Sequence, residues 1–323
     1  MYKLLIRIAC AASALALLGV PAVHATGTKA KPRVAVKYPA RAAARAGAKP
    51  RVAIHARGKK TAEAEIIAGE PNLKSSAALV FDLTEEQTIY GKNTQNRTPI
   101  ASITKLMTSM VVLDANLPLE ETIYIDTADY DSLKHTGSRL AAGTGLPRRE
   151  MLRLALMSSE NRAAASLGRA YPGGTPAFIA AMNRKAVDLG MASTQFADPT
   201  GLSSDNVSTA EDLVKMVKGA YEYPLIREFT TTSAHEVETA TGRSLQFRNS
   251  NGLVRDPRST WEIGLSKTGY ISEAGRCLVM QAKIAARPVI IVLLDSWGKQ
   301  TRIGDANRIR KWLESKLERK PVG

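Results

Sequence analysis

The chain has 323 residues, enough for one large domain or two small ones, and a formal net charge of +15. The charge is concentrated: residues 1–62 hold thirteen Lys and Arg and no acid, whereas 32 basic residues face 30 acidic ones from Glu63 onward. That balanced remainder lacks the basic footprint of a nucleic-acid binder, so nucleic acid is excluded as a partner of the folded part.

Residues 1–25 read as a secretory signal peptide, with Lys3 and Arg7 ahead of an apolar stretch from Ile8 to Val20 and a small-residue cleavage site at Val23-His24-Ala25. The stretch is short for a membrane span. Cys10 does not fit a lipid-attachment site, because Arg7 stands where that motif wants an aliphatic residue. Residues 26–70, rich in Ala, Lys, Arg and Pro, predict a disordered basic linker: too little apolar surface is present to offset chain entropy. Such a linker is either an electrostatic leash to an anionic envelope surface or a passive spacer. The location expected from these segments is the periplasm. After cleavage Cys277 is the one cysteine left, so stability must come from the core, and its alternating strand-like context reads as a buried small apolar residue.

Order is expected from residue 71. Ser76–Leu83 and Gln87–Tyr90 predict a hairpin, and Ser102–Leu113 a helix with apolar residues at Ile103, Leu106, Met107, Met110 and Val111. Helices follow over Arg149–Met157, Arg162–Ala170 and Thr175–Leu189, the first two split by Ser158-Ser159-Glu160-Asn161. Ser208 with Glu211 predicts a capping box opening a helix over Thr209–Tyr221. Glu262–Thr268, Arg276–Ala285 and Pro288–Asp295 read as strands, Val289–Leu294 having strand rather than span length, and Ile303–Leu317 as a closing helix. Strands at both ends of a helical insert predict an α+β fold: one antiparallel sheet with its first and last strands paired, flanking helices, and an inserted all-helical subdomain. The sheet subdomain is expected over about 71–115 and 228–318 and the helical one over about 116–227, with the active site between them.

Three strings carry the chemistry. Ser102-Ile-Thr-Lys105 places a hydroxyl and an amine one turn apart on one helix face. A serine needs a base within hydrogen-bonding reach to become a nucleophile, and a lysine serves only when burial or a second cation lowers its pKa. Ser159-Glu-Asn161 offers a second hydroxyl and an amide at a helix break. Lys267-Thr-Gly269 supplies that second cation, the hydroxyl of Thr268 for a substrate carboxylate, a close-approach glycine, and the amide of Tyr270, which with that of Ser102 can donate to an oxyanion.

Rival strings fail on context. Ser296-Trp-Gly-Lys299 follows a strand and contains Gly298, and Ser204-Asp-Asn206 lies in a polar turn just before the cap at Ser208. With His24 and His55 outside the folded part, His135 and His235 show neither metal-ligand spacing nor a nucleophile-elbow context, so no metal is expected. No phosphate-binding glycine loop or other cofactor fingerprint is present.

In this order the strings resemble those of the low-molecular-mass penicillin-binding proteins, serine D-alanyl-D-alanine peptidases of β-lactamase/transpeptidase-like fold. The likeness runs from about Ser76 to Trp312 and includes Tyr171-Pro-Gly-Gly, Pro199-Thr-Gly-Leu, Asn206-Val-Ser-Thr-Ala and Gly275-Arg-Cys-Leu-Val-Met. It is most similar to the DD-endopeptidase branch. The resemblance implies that Ser102 attacks a D-alanyl carbonyl, Lys105 takes its proton, and Ser159 relays a proton to the leaving amine. It further implies that Asn161 holds the substrate amide or Lys105, and that Lys267 binds the substrate carboxylate. Implied partners are peptidoglycan stem peptides and cross-links, with β-lactams as covalent inhibitors.

Carboxypeptidases of the group typically carry a further β-rich domain and an amphipathic helix, whereas 54 residues follow Gly269 here. The expectation is therefore an endopeptidase cutting D-alanyl–diaminopimelate cross-bridges. The alternatives are a D-alanyl-D-alanine carboxypeptidase and a non-catalytic wall-binding module. A β-lactamase is disfavoured, because no Glu-x-x-Leu-Asn segment lies between Ser159 and Lys267.

Overall fold

The computed structural model describes residues 69–239 and 241–318, so the signal peptide and nearly all of the basic linker lie outside the described residues. The expected hairpin is β1 (Ala77–Asp82) and β2 (Gln87–Lys92). After the short β3 (Thr98–Pro99), a 3-10 turn over Ala101–Thr104 runs directly into α1 (Lys105–Asp114). The inserted region contains α2 (Arg148–Met157), α3 (Asn161–Arg169) and α4 (Gly174–Asp188), and it adds a small ladder of β4 (Thr122–Tyr124) with β5 (Gly145–Pro147). Next come β6 (Val207–Ser208), paired with β3, then α5 (Ala210–Tyr221) and α6 (Pro224–Thr231). A second hairpin, β7 (Ala234–Glu238) with β8 (Ser244–Arg248), precedes the single turn α7 (Gly252–Arg255). The chain closes with β9 (Glu262–Ile271), β10 (Gly275–Ile284), β11 (Arg287–Ser296) and α8 (Thr301–Glu318).

The five-stranded sheet has the order β2-β1-β11-β10-β9 and is antiparallel throughout, so the first and last strands pair as expected. Its two faces serve different layers. Ile290, Val292 and Leu294 of β11 pack with the helical side, while Val289, Ile291 and Leu293 pack with Ala306, Ile309 and Trp312 of α8. A strand covered on both faces has no polar side to alternate with, which is why Val289–Leu294 is an unbroken apolar run. Burying each of those side chains contributes roughly 1.5–3 kcal/mol. Cys277 is fully buried with its thiol pushed up to about 11 by that burial, in agreement with its reading as a core residue.

Three local features differ from the sequence expectations. The cap of α5 is Thr209, whose hydroxyl accepts from the Asp212 amide, and not Ser208 with Glu211. Ser208 instead bonds the Thr194 hydroxyl, and Glu211 accepts from Thr94 of the opposite segment. The β7–β8 hairpin was not anticipated, although Leu245 and Phe247 alternate with polar residues and Gly242 supplies a positive-φ turn. Ser102 lies in the 3-10 turn rather than in the α-helix, a tighter winding that eclipses positions i and i+3.

Two glycines wedge that turn in place. A β-carbon on Gly201, which sits at φ +80, would lie 2.0 Å from the Ala101 carbonyl oxygen. One on Gly269 of β9 would lie 2.9 Å from the Ile100 oxygen and 3.1 Å from the Ser102 nitrogen. Between them Ala101 itself takes φ +48, a strained conformation for a residue with a side chain. Gly201→Ala is therefore expected to lower the unfolding free energy by roughly 2 kcal/mol or more, since both φ and space are wrong for alanine. An unchanged urea midpoint would contradict this packing.

Candidate active site

The three strings meet where the sheet edge faces the helical region. Ser102 stands at the 3-10 turn, Ser159 in the break between α2 and α3 at φ +63, and Lys267-Thr-Gly269 on β9, an edge strand of the sheet. Half the backbone groups of an edge strand have no strand partner, the condition that a donating Tyr270 amide requires. The Tyr270 side chain is exposed, with the Arg276 guanidinium 4.5 Å from its ring centroid.

Lys105 is 0% exposed, and its Nζ donates to Ser102 Oγ at 2.8 Å, Asn161 Oδ1 at 2.8 Å and the Thr200 carbonyl at 2.7 Å. Two of these acceptors cannot donate in return. A neutral amine keeps two N–H groups for Asn161 and Thr200, which turns its lone pair toward the one partner carrying a proton, the Ser102 hydroxyl. Burial lowers the Lys105 pKa from 10.5 to about 7 despite the opposing pull of Asp198, Glu160 and Asp131.

Lys267, 1% exposed, donates to Ser159 Oγ at 2.8 Å and to the Thr268 carbonyl at 3.0 Å. Its pKa is held well below the ordinary lysine value, first by burial and then by repulsion from Lys105 and Arg302. Burial is thus the leading cause at Lys105, and the repulsion between the two amines weighs on Lys267. Thr268 donates its hydroxyl to Ser250 at 2.7 Å, and Arg302 of α8 donates to the Gly269 carbonyl at 3.2 Å.

Several positioning groups were not singled out in the sequence. Asn161 Nδ2 donates to Thr136 Oγ1 at 2.9 Å, and the Thr136 hydroxyl donates to Asp131 Oδ2 at 2.7 Å. Because a carboxylate only accepts, this relay fixes which end of the Asn161 amide faces Lys105. Burial raises the Asp131 pKa, but bonds from Lys134, Thr136 and Leu133 outweigh it and hold the carboxyl below its usual value. The Thr200 carbonyl is presented by a loop that Asn206 braces. Asn206 accepts from the Ala197 and Asp198 amides and donates to Thr104 Oγ1 at 3.0 Å. The rival string Ser204-Asp-Asn206 thus has two exposed loop residues and a buried bracket. In the other rival, Ser296 is buried against Ser75 at 2.7 Å while Lys299 is exposed. His235 bonds Glu150 at 2.7 Å, away from the three strings.

The segment carrying Asp131 and Thr136 is tied to the sheet and to the β7–β8 hairpin. Lys134 pairs with Glu273 in the β9–β10 turn, and the Arg139 guanidinium lies 4.1 Å from the Phe247 ring centroid. A cavity of about 360 Å³, bounded by Gly137, Arg139, Ser159, Asn161 and Phe247, opens beside Ser159.

An antiparallel sheet beside a helical region, with a lysine-paired serine at their junction, defines a serine acyl-transfer enzyme of the β-lactamase/transpeptidase-like fold. Residues 64–298 match the D-alanyl-D-alanine carboxypeptidase family. The chain is 48% identical to a D-alanyl-D-alanine endopeptidase of Escherichia coli, covering 79% of this chain and 82% of that one. It is also 48% identical to a D-alanyl-D-alanine endopeptidase of Pseudomonas aeruginosa, covering 76% and 79%. The crystal structure of the Streptomyces K15 DD-transpeptidase superposes with a TM-score of 0.70 at 28% identity, over 76% of this chain and 98% of that one. The chain belongs to the D-alanyl-D-alanine carboxypeptidase family of serine peptidases.

The folded pKa of Lys105 lies below its unfolded value, so the unfolded chain binds more protons between about pH 7 and 10.5. Stability is therefore expected to rise with pH across that window. NMR of labelled lysine side chains should show one midpoint near 7 that is absent from Lys105→Met, and a lowest midpoint near 10 would refute the burial argument.

Proposed function

We propose that the chain is a periplasmic peptidoglycan DD-endopeptidase that cuts D-alanyl–diaminopimelate cross-links through a serine acyl-enzyme. The reading rests on the three hydrogen bonds of Lys105 Nζ, which leave the neutral amine's lone pair toward Ser102 Oγ. The names of the two relatives at 48% identity support the choice of bond.

In this mechanism Ser102 Oγ attacks the D-alanyl carbonyl as its proton passes to Lys105 Nζ, and the amides of Ser102 and Tyr270 stabilise the oxyanion. Ser159, held by Lys267, relays to the departing amine the proton that Lys105 took, so that Lys105 is neutral again before the ester is hydrolysed. Asn161 orients Lys105 and the substrate amide, while Lys267 and Thr268 meet the carboxylate of the leaving portion, and Gly269 lets the strand approach. Water then hydrolyses the ester, with Lys105 accepting its proton. β-Lactams acylate Ser102 by the same route. Residues 1–25 direct export to the periplasm and are then cleaved off, and the basic linker meets an anionic envelope surface.

Mass spectrometry should find a penicillin adduct on wild type and none on Ser102→Ala. Wild type should convert purified cross-linked muropeptide dimers to monomers. Persistence of dimers while pentapeptides lose one D-alanine would make the protein a carboxypeptidase, the activity for which its family is named. Absence of any adduct would make it a binding module.

The rate constant for acylation should rise with pH through about 7 as Lys105 loses its proton. Thr136→Val, which lets the Asn161 amide turn, should slow penicillin acylation about tenfold, with Thr136→Ser restoring it. Equal rates for the two variants would sever the relay from catalysis.

A further inference from the structure

A groove of about 670 Å³ lies apart from the three catalytic strings, between the 248–261 segment and α8. Arg248, Arg255, Arg258 and Arg310 line it, together with Trp261 and Asp256. Against four guanidinium groups stand two carboxylates, Asp256 paired with Arg258 at 3.2 Å and Glu314 paired with Arg310 at 2.8 Å. Among the described residues, Arg248 and Arg255 form no ion pair, and Arg248, Arg255 and Arg258 are exposed. Arg310 also lies 5.4 Å from the Trp261 ring centroid, so the groove offers an apolar ring flanked by forked cation donors.

Both walls of the groove touch the catalytic strand. In the 248–261 wall, Ser250 accepts from Thr268 and Asn251 Nδ2 donates to Ser266. In the other, Arg302 of α8 donates to the Gly269 carbonyl one residue before Ile303 reaches the groove. The groove is therefore anchored to β9 beside the Lys267-Thr-Gly269 string, with Trp261 in its lining immediately before the strand begins. From Lys267 back to Trp261 the strand covers about 20 Å, the reach of an extended peptide with several residues.

We infer that this groove is an exosite for the uncleaved remainder of a cross-linked substrate, whose free stem-peptide carboxylates pair with Arg248, Arg255 and Arg258. The inference rests on the endopeptidase reading, because only a cross-linked substrate has a second stem on the leaving side. A single terminal D-alanine would not reach it. The excess of guanidinium over carboxylate supplies the charge complementarity, and forked Arg geometry favours carboxylates over diffuse charge.

The test compares the full-length protein with Arg248→Glu, Arg258→Glu and their combination, using soluble cross-linked muropeptide dimers and, separately, a fluorescent penicillin. The double variant should raise KM for dimers about fivefold, with Arg248→Lys raising it less than Arg248→Glu, while the penicillin acylation rate stays unchanged. Unchanged KM for dimers, or an equal slowing of penicillin acylation, overturns the exosite. Loss of binding to anionic phospholipid vesicles with dimer KM intact also overturns it, by assigning the surface to lipid. Penicillin acylation and dimer cleavage by wild type report on the proposed function itself, so failure of the exosite is distinguishable from failure of that function.

Discussion

The structure depends on burying one lysine without giving it a carboxylate to pair with. Every group that touches Lys105 Nζ is a neutral oxygen: a hydroxyl, an amide and a backbone carbonyl. The carboxylates of Asp198, Glu160 and Asp131 act on it only at a distance, and each is occupied elsewhere. The pKa displacement corresponds to roughly 5 kcal/mol against the protonated form. A direct ion pair would remove that penalty and keep the amine protonated. Much of the surrounding architecture keeps those carboxylates engaged: Asp198 takes the amides of Gly201 and Ser203, Glu160 the hydroxyl of Ser138, and Asp131 the turn around Thr136.

Reaching this arrangement requires three chain segments to converge on one peptide unit. The nucleophile turn is squeezed between the loop at Gly201 and the strand at Gly269, and neither contact tolerates a β-carbon. These glycines are long-range requirements. They appear in the sequence as members of short strings, yet nothing local says that both press on Ala101 and Ser102.

This separates what the sequence discloses from what it does not. The main sheet strands and the longer helices follow from periodicity, because a covered strand and a one-sided helix must spend apolar residues in fixed patterns. The chemical groups Ser102, Lys105, Ser159 and Lys267 are legible from the order and context of their strings. By contrast, Thr136 and Asp131 are ordinary turn residues in one dimension, and Thr200 and Asn206, though members of strings that carry the resemblance, show their contacts only when loops meet α1 and α3. The displaced cap of α5 has the same origin. Ser208 and Glu211 match a capping box locally, but Thr194 and Thr94 claim their side chains from elsewhere in the chain.

Two buried amines in one cleft also constrain the order of events. With both desolvated, charging one disfavours charging the other. In the proposed mechanism a substrate carboxylate placed beside Lys267 and Thr268 would supply a counter-ion to Lys267, and so would raise its proton affinity. The resulting ammonium would work against protonation of Lys105 and so favour its neutral form beside Ser102. On that proposal, substrate binding and activation of Ser102 would be linked through repulsion between the two lysines. A ligand without a carboxylate would not provide that counter-ion, so under the proposed mechanism the electrostatics that prepare the base would also bear on what it acts upon.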